Sequence, residues 1–291
     1  MSLAGCFVAP HPPVVVPQVG GRRLGEVAST VEAMRRLGEE ACRLRPDVIV
    51  LMSPHARMDP ARMGVSTCGR CEGSLAYFGA PQVHVSLSGR PDLAEAVLSE
   101  AAARRVAATA MPVRGGVLDL DHGSLVPLVY VLEGLERLPD LVVLSFSNHN
   151  TAVHLAFGQA IGAAVDAFPA RVLFVASGDL SHRLTPQAPA GYNPRGGDFD
   201  RAVVEAFRLG SAEALLAIPP ALLHEAGECG YRSVVTLFGV LSGRRYTTRV
   251  LSYEGPFGVG YLVGVVDLAG AEQEGSGTER GGSGTEQEGL S

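Results

Sequence analysis

The chain has 291 residues, of which 46% are hydrophobic and 19% are charged, and its formal net charge is -6. Residues 1–270 carry 25 acidic and 23 basic side chains, a balance that predicts neither a nucleic-acid partner nor a polybasic membrane patch. The sequence contains no apolar run of about 18 residues and no signal-peptide pattern at its start. We therefore expect a cytoplasmic protein that is not membrane-bound.

The chain divides into a long folded part and a short tail. Residues 1–270 alternate apolar runs with helical patterns and predict a single domain, which a chain of this length can form around one core. Residues 271–291 repeat Gly, Ser, Thr and Glu with almost no apolar side chains. Such a composition cannot bury enough surface to offset its ordering entropy, so it predicts a disordered tail.

The predicted elements follow one another in a strand–helix alternation. In chain order we expect a strand at Leu3–Ala9, a helix ending before Pro46, a strand at 47–52, helices at 92–105 and 123–138, a strand at 141–146, a helix at 152–168, a strand at 171–176, helices at 199–209, 211–218 and 231–241, and a hairpin at 246–253 and 259–267. Continuous apolar strands between helices are typical of a sheet covered on both faces. The fold class is therefore α/β, a three-layer α/β/α sandwich with a mostly parallel, mixed central sheet.

Four of the eight histidines follow or precede predicted elements where open α/β sheets bind ligands. His11, His55 and His182 each come shortly after a buried strand, and His122 begins a helix. Ligands in such sheets bind outside the carboxyl ends of the strands. The other four are read as strand or helix-end residues without a functional role: His84, His149, His154 and His224.

His11 and His55 are the strongest candidate metal ligands. Both are flanked by proline, which restricts the backbone beside each ring. Glu228, in a glycine-bracketed loop before a helix, is the best candidate for a third ligand, although a carboxylate there could also serve only the helix start. Two histidines and one carboxylate leave open coordination positions, a pattern of non-heme Fe(II) oxygenases.

The five cysteines contain one C-x-x-C pair, Cys68 and Cys71. Structural zinc sites usually need a second pair, and none follows. A plain turn is the preferred interpretation of this segment, with a metal or redox role as the alternative.

The motifs APHPP, PDVIVLMSPH, LDHGSLVPL, SGDLSH and ECGYRS, in this order over about residues 5–266, resemble those of the class III extradiol ring-cleavage dioxygenases of the LigB type and their Memo-like relatives. The resemblance implies the sandwich fold and an Fe(II) site, although another divalent metal would also fit. It implies that His11, His55 and Glu228 are the iron ligands, that His182 is the acid/base, and that His122 is a second catalytic histidine near the substrate.

The activity implied by the resemblance is ring cleavage of a small aromatic diol or aminophenol with O2. His182 would exchange protons with the substrate, as positioned histidines do near neutral pH. Asp179 would orient His182 or cap a turn. Two alternatives remain open: a Memo-like metal-binding protein without ring cleavage, since Cys229 adjoins Glu228, and a metal-dependent hydrolase. The substrate and the oligomeric state, including a homo-oligomer, are left undecided.

Overall fold

A mixed eight-stranded sheet forms the centre of the protein in a computed structural model, which describes residues 2–269. The predicted tail at 271–291 lies outside the described residues. The strands, in chain order, are β1 (Leu3–Ala9), β2 (Val48–Met52), β3 (Met63–Val65), β4 (Arg70–Leu75), β5 (Ala80–Ser88), β6 (Ala108–Ala110), β7 (Val117–Asp119), β8 (Asp140–Ser145), β9 (Val172–Ser177), β10 (Tyr246–Glu254) and β11 (Tyr261–Leu268).

The α-helices connect these strands and flank the sheet. In chain order they are α1 (Pro17–Gly20), α2 (Ala28–Leu44), α3 (Pro91–Ala103), α4 (His122–Val131), α5 (Thr151–Ala167), α6 (Arg195–Arg208), α7 (Ala212–Leu216), α8 (Pro220–Ala226) and α9 (Tyr231–Val240). None of the helices among residues 2–269 is long and apolar enough to cross a membrane.

The eight-stranded sheet has the order β10-β11-β1-β9-β2-β8-β3-β6. Four central strands are mutually parallel, in the order β1, β9, β2 and β8. By contrast, β11 pairs with β1 in the antiparallel direction. The carboxyl ends of the four parallel strands therefore meet at one edge, and the loops that follow them can share a site.

Two hydrophobic cores cover the two faces of this sheet. Alternate residues of β1 point to opposite faces, since Cys6 and Val8 belong to one core and Phe7 and Ala9 to the other. Helices α3, α5, α6 and α9 cover the first face, whereas α2, α4 and part of a three-stranded sheet, β5-β4-β7, cover the second. The predicted three-layer sandwich with a mixed sheet is confirmed.

Several elements differ from the sequence-based expectation. The helix expected at 123–138 ends at Val131, and the segment 220–226 forms an additional helix, α8. The three-residue strands β3, β6 and β7 were not predicted, because so short a segment shows no apolar periodicity. The terminal hairpin forms as expected and adds two antiparallel strands at one side of the sheet.

Candidate metal centre

His11 lies two residues beyond β1, and its ring is buried at the carboxyl edge of the central sheet. The imidazole Nδ1 is 2.9 Å from the Oγ of Ser177, the last residue of the neighbouring strand β9. That hydroxyl also lies 2.6 Å from the carbonyl oxygen of Gly123, to which it donates. The position of His11 is therefore fixed by the strand beside it.

These two contacts define the tautomer of His11. Since a hydroxyl has one proton to donate and Ser177 donates it to Gly123, the Ser177 oxygen accepts from the His11 Nδ1–H. Nδ1 of the neutral ring thus carries the proton, and Nε2 presents a free lone pair. Metal-binding histidines have this arrangement, in which a hydrogen bond to one nitrogen orients the other as a ligand.

His55 lies three residues beyond β2, and hydrogen bonds to neighbouring polar groups hold its backbone. The Oγ of Ser53 accepts from the His55 N–H at 3.2 Å and donates to Oδ1 of Asp121 at 2.6 Å. Unlike His11, the His55 side chain is exposed to solvent. His55 can therefore contact both the buried His11 ring and a ligand arriving from outside.

His122 is the first residue of α4, and the residue before it caps that helix. The Asp121 carboxylate accepts from the Ser124 N–H at 3.0 Å, as N-cap aspartates commonly do. Gly123 permits close packing here, because a Cβ at this position would lie 2.5 Å from the Ser53 Oγ. The first turn of α4 therefore packs closely against the loop that contains His55.

The three rings of His11, His55 and His122 converge. One ring nitrogen from each lies within 4.8 Å of the others, and the Nε2 atoms of His11 and His55 are 3.0 Å apart. Two ligands bound at about 2.1 Å and at a right angle around one ion would be about 3.0 Å apart. The three imidazole donors, and the spacing of the His11 and His55 nitrogens, therefore fit a divalent transition metal.

Glu228, expected as the third ligand, does not belong to this group. Its Oε2 accepts from the Tyr231 N–H at 2.6 Å at the start of α9, the helix-start role that the sequence had left open. His122, expected only near the substrate, takes the third place in the group. Burial raises the pKa of Glu228 to about 7, so without a bound cation this carboxyl group is partly protonated near neutral pH.

Two further groups approach the Nε2 of His11. The Sγ of Cys229 is 3.7 Å away, and Oδ2 of Asp179 is 3.9 Å away. Asp179 also accepts from the His11 N–H through Oδ1 at 2.9 Å. Asp179 therefore contacts His11, and no hydrogen bond between its side chain and His182 is found among residues 2–269.

Asp179 and Cys229 meet because two loop backbones approach closely at Gly178 and Gly230. A Cβ on Gly178 would lie 2.1 Å from the Cα of Gly230, a separation that only glycine allows. The Asp179 backbone oxygen accepts from the Gly230 N–H at 2.8 Å. This contact brings the loop after β9 and the loop before α9 to the same side of His11.

His182 follows the same loop after β9, and its backbone N–H donates to the Ala226 oxygen at 3.1 Å. Its ring Nδ1 is buried without a hydrogen-bond partner among the described residues. Burial lowers the pKa of His182, and the nearby His55 lowers it further. The ring is therefore neutral at pH 7, and Nε2 is the nitrogen left to exchange a proton with a ligand.

Burial also affects the protonation of the three converging histidines. It lowers the pKa of His11 well below its ordinary value, with help from His55 and His122. Desolvation also lowers the pKa of His122 and of His55, whose ring is only partly shielded from solvent. Neutral imidazoles are the form that binds metal. Burial raises the pKa of Asp179 to about 7, so a cation at the site would favour its ionised form.

A cavity of about 460 Å³ opens beside His55. Apolar side chains, two cations and two carboxylates border it, since its lining includes Val113, Leu118, Arg57, Arg114, Asp119 and Asp121. A larger cavity of about 660 Å³ lies between β5 and α4, but none of the site histidines lines it. The cavity beside His55 is therefore placed to receive a small ligand of the candidate metal centre.

Sequence reasoning missed the supporting hydroxyls Ser53 and Ser177 and the capping role of Asp121. Both serines are fully buried and terminate apolar strands that lead into the histidine loops. A buried hydroxyl at the carboxyl end of a core strand needs a hydrogen-bond partner. That placement was the available signal, and the D-x-x-S spacing at 121–124 was the signal for the cap.

Comparison with known proteins agrees with this architecture. A family model described as the catalytic LigB subunit of aromatic ring-opening dioxygenase matches residues 5–264. Protein CA_C1420 of Clostridium acetobutylicum is 32% identical over 270 residues, which cover 90% of this chain and 57% of that protein. The chain thus spans little more than half the length of that relative.

Two more distant proteins are also similar. The 3,4-dihydroxyphenylacetate 2,3-dioxygenase of Escherichia coli is 24% identical over 254 residues, covering 83% of this chain and 90% of the enzyme. The crystal structure of the uncharacterized protein JW3007 from Escherichia coli K12 superposes with a TM-score of 0.58 and 18% identity, covering 90% and 99% of the two chains. The latter likeness shows a shared fold. Since the family match covers nearly the whole described part of the chain, the protein belongs to the LigB family of aromatic ring-opening dioxygenase catalytic subunits.

Proposed function

We propose that the protein is an extradiol-type dioxygenase that opens the ring of a catechol or an aminophenol with O2 at an Fe(II) centre. The observation that carries the proposal is the pair of Nε2 atoms, 3.0 Å apart, on His11 and His55. The lone pair on His11 is set by Ser177. The distant relative named as a 3,4-dihydroxyphenylacetate dioxygenase supports an aromatic diol as the substrate class.

In this proposal His11, His55 and His122 hold the ion through ring nitrogens. A ferrous ion held by these residues would supply Lewis acidity that lowers the pKa of the hydroxyl groups of a catechol. His11 is buried and oriented by Ser177, whereas His55 faces the cavity. Of the proposed ligands, His11 is therefore held in place by its buried surroundings, whereas His55 can be reached from the cavity.

His182 is the proposed acid/base. Its neutral ring can accept a proton from a substrate hydroxyl at Nε2, because Nδ1 is buried away from solvent. The backbone bond from His182 to Ala226 fixes the loop that presents the ring. Positioned acid/base groups of this kind contribute roughly 10²–10⁴-fold to rates.

The cavity beside His55 is the proposed binding place of the substrate ring and its substituent. Val113 and Leu118 offer apolar contact, and its volume of about 460 Å³ lies within the usual range of roughly 300–1,000 Å³ for small-molecule pockets. The α4 start and the His55 loop enclose one side.

The test is metal analysis combined with a substrate panel. We expect about one Fe(II) per chain after anaerobic reconstitution, and ring-cleaved product with O2 from at least one catechol or aminophenol. His55→Ala should lose the iron, because two protein ligands hold the ion poorly. Full iron content in His55→Ala, or no ring cleavage by iron-loaded wild type across the panel, would contradict the proposal.

A second candidate function, metal binding without ring cleavage, is favoured by one contact. The thiol of Cys229 lies 3.7 Å from Nε2 of His11, and thiolates select softer metals such as Zn(II) or Cu(I). Higher affinity for these metals than for Fe(II), lost in Cys229→Ser, would support this function. A metal-dependent hydrolase remains the third alternative, and hydrolysis without O2 consumption would identify it.

A further inference from the structure

Cys68 and Cys71 place two thiols in direct contact, and neither belongs to the histidine cluster. Their Sγ atoms are 3.7 Å apart, and both are free thiols in this structure. The three other cysteines have no such partner among residues 2–269: Cys6, Cys42 and Cys229. We propose that Cys68 and Cys71 form a redox-active dithiol, oxidised by hydrogen peroxide to an intramolecular disulfide, with Cys68 as the nucleophile and Cys71 as the resolving thiol.

The two cysteines differ in how firmly the backbone holds them. Cys71 lies inside β4, the central strand of the three-stranded sheet, where it pairs with Leu87 on one side and Leu118 on the other. Cys68 precedes this strand in a loop, and the exposed Gly69 and Arg70 separate the pair. The movement that shortens the 3.7 Å contact to the roughly 2.05 Å of a disulfide is therefore assigned to Cys68, because the sheet holds Cys71 on both sides.

The surroundings favour a thiolate on Cys68. A hydrogen bond from the Cys71 thiol lowers the pKa of Cys68 to about 6, and the backbone N–H groups of Arg70 and Leu118 act in the same direction. The same bond, together with burial, raises the pKa of Cys71. Cys68 is also the more exposed of the two, at 5% against 0%. A thiolate is the nucleophilic form of cysteine, so these features distinguish attacker from resolver.

The low exposure of Cys68 restricts which oxidant can reach it, since only 5% of the residue is accessible. Leu118, whose backbone N–H lowers the pKa of the Cys68 thiol, lines the 460 Å³ cavity beside His55 and separates Cys68 from it. Hydrogen peroxide is therefore the suitable oxidant, whereas a bulky disulfide would be hindered.

The chemistry balances as a two-electron oxidation. The Cys68 thiolate attacks one peroxide oxygen, the O–O bond breaks, and a sulfenic acid forms on Cys68 as hydroxide leaves. The Cys71 sulfur then attacks the Cys68 sulfur, an S–S bond forms, and the S–O bond breaks. The proton of Cys71 leaves with that oxygen as water. In total, two thiols and one hydrogen peroxide give one disulfide and two waters.

The experiment treats the full chain with a small excess of hydrogen peroxide, quenches with catalase, blocks remaining thiols and maps the cysteines by mass spectrometry. We expect the free thiols to fall from five to three, since all five are reduced at the start, with a Cys68–Cys71 link that dithiothreitol reverses. Oxidation of Cys42 or Cys229 while Cys68 and Cys71 stay reduced would overturn the proposal.

Three variants assign the roles. Cys71→Ser should accumulate a sulfenic acid on Cys68 that dimedone traps, whereas Cys68→Ser should leave Cys71 unlabelled. Cys42→Ser, the matched control at a half-buried cysteine without a partner sulfur, should form the disulfide as the wild type does. Dimedone labelling of Cys71 in Cys68→Ser, equal to that of Cys68 in Cys71→Ser, would overturn the assignment of nucleophile and resolver.

Discussion

The Nε2 atoms of His11 and His55 lie 3.0 Å apart although the residues are 44 positions apart in the chain. Since Ser177 fixes the proton of His11 on Nδ1, this contact without an ion requires a proton on Nε2 of His55. Metal binding requires that proton to move to Nδ1 of His55, a change of tautomer that releases no proton. Metal affinity is expected to fall when the pH is low enough to protonate the neutral rings, as for other sites with histidine ligands.

The identity of the third ligand is testable by a pair of substitutions. His122→Ala should lower Fe(II) affinity strongly, because the ring nitrogen of His122 belongs to the converging group. Glu228→Gln should keep the iron, since its carboxylate caps the Tyr231 N–H. Isothermal titration under anaerobic conditions measures both. The reverse pattern would restore the ligand set of His11, His55 and Glu228.

Ser177→Ala should weaken metal binding without removing a ligand. The variant loses the acceptor that holds the His11 proton on Nδ1, and partners of this kind are worth about 10–100-fold in metal affinity. Ser233→Ala is the matched control, because Ser233 is also buried but its hydroxyl has no partner among the described residues. Equal affinities for the two variants would contradict the role given to Ser177.

His182→Phe should separate metal binding from turnover. Iron content is expected to stay near that of the wild type, since His182 is outside the converging group, while ring cleavage falls by roughly 10²–10⁴-fold. Metal analysis and product formation are measured on the same sample. The exposed His224 provides the control His224→Phe, which should match the wild type. Iron loss in His182→Phe would make His182 a ligand instead.

Asp200 should make the protein less stable as the pH rises through the weakly acidic range. Burial raises the pKa of Asp200 to about 6, against the bonds from Tyr253 and Ser181 that favour the ionised form. Its folded pKa exceeds its unfolded pKa, so its contribution is complete below about pH 4 and is lost as the pH rises through about 6.

Asp200→Asn should remove that part of the pH dependence, which amounts to roughly 3 kcal/mol for a shift of about two pKa units. Urea unfolding at about pH 4 and about pH 8 measures it, with the exposed Asp119 as the control Asp119→Asn. If the free energy of unfolding differs between the two pH values by the same amount in Asp200→Asn as in the wild type, Asp200 is not the source of this pH dependence.

A chain ending at Gly270 should keep its metal and its melting temperature. The composition of residues 271–291 offers almost no core-forming side chains, and terminal segments of this kind contribute few native contacts. Differential scanning calorimetry of the shortened and full chains makes the comparison. A fall of many degrees in the shortened chain would contradict the single-domain boundary at residue 270.

The fold was largely predictable because its central strands are apolar throughout. β1 and β2 are buried at every position, and the continuous hydrophobic runs predicted their location between two helical layers. The small sheet of β4, β5 and β7 was harder to predict. Its strands mix exposed and buried residues, and β4 and β7 pair across more than 40 residues, a contact that local periodicity does not encode.

The candidate site was predictable only in part. Position after a buried strand identified His11, His55 and His182, and the convergence of His11 with His55 is observed. His122 follows β7, a strand of the three-stranded sheet and not of the central one. Its position after a central parallel strand could therefore not be used to assign it a ligand role. Glu228 could be a ligand or a helix cap from sequence alone, because both roles use a carboxylate at the same place.

The close approach of Gly178 and Gly230 has a consequence for how this sequence can diverge. A methyl group at either position would push the Asp179 loop and the Cys229 loop apart, so neither residue can be enlarged alone. Homologous chains that bear a side chain at one of these positions should therefore carry compensating changes in the other loop, and the two sites should covary. Such covariation would show that the steric constraint acts on the two positions together and not on either glycine alone.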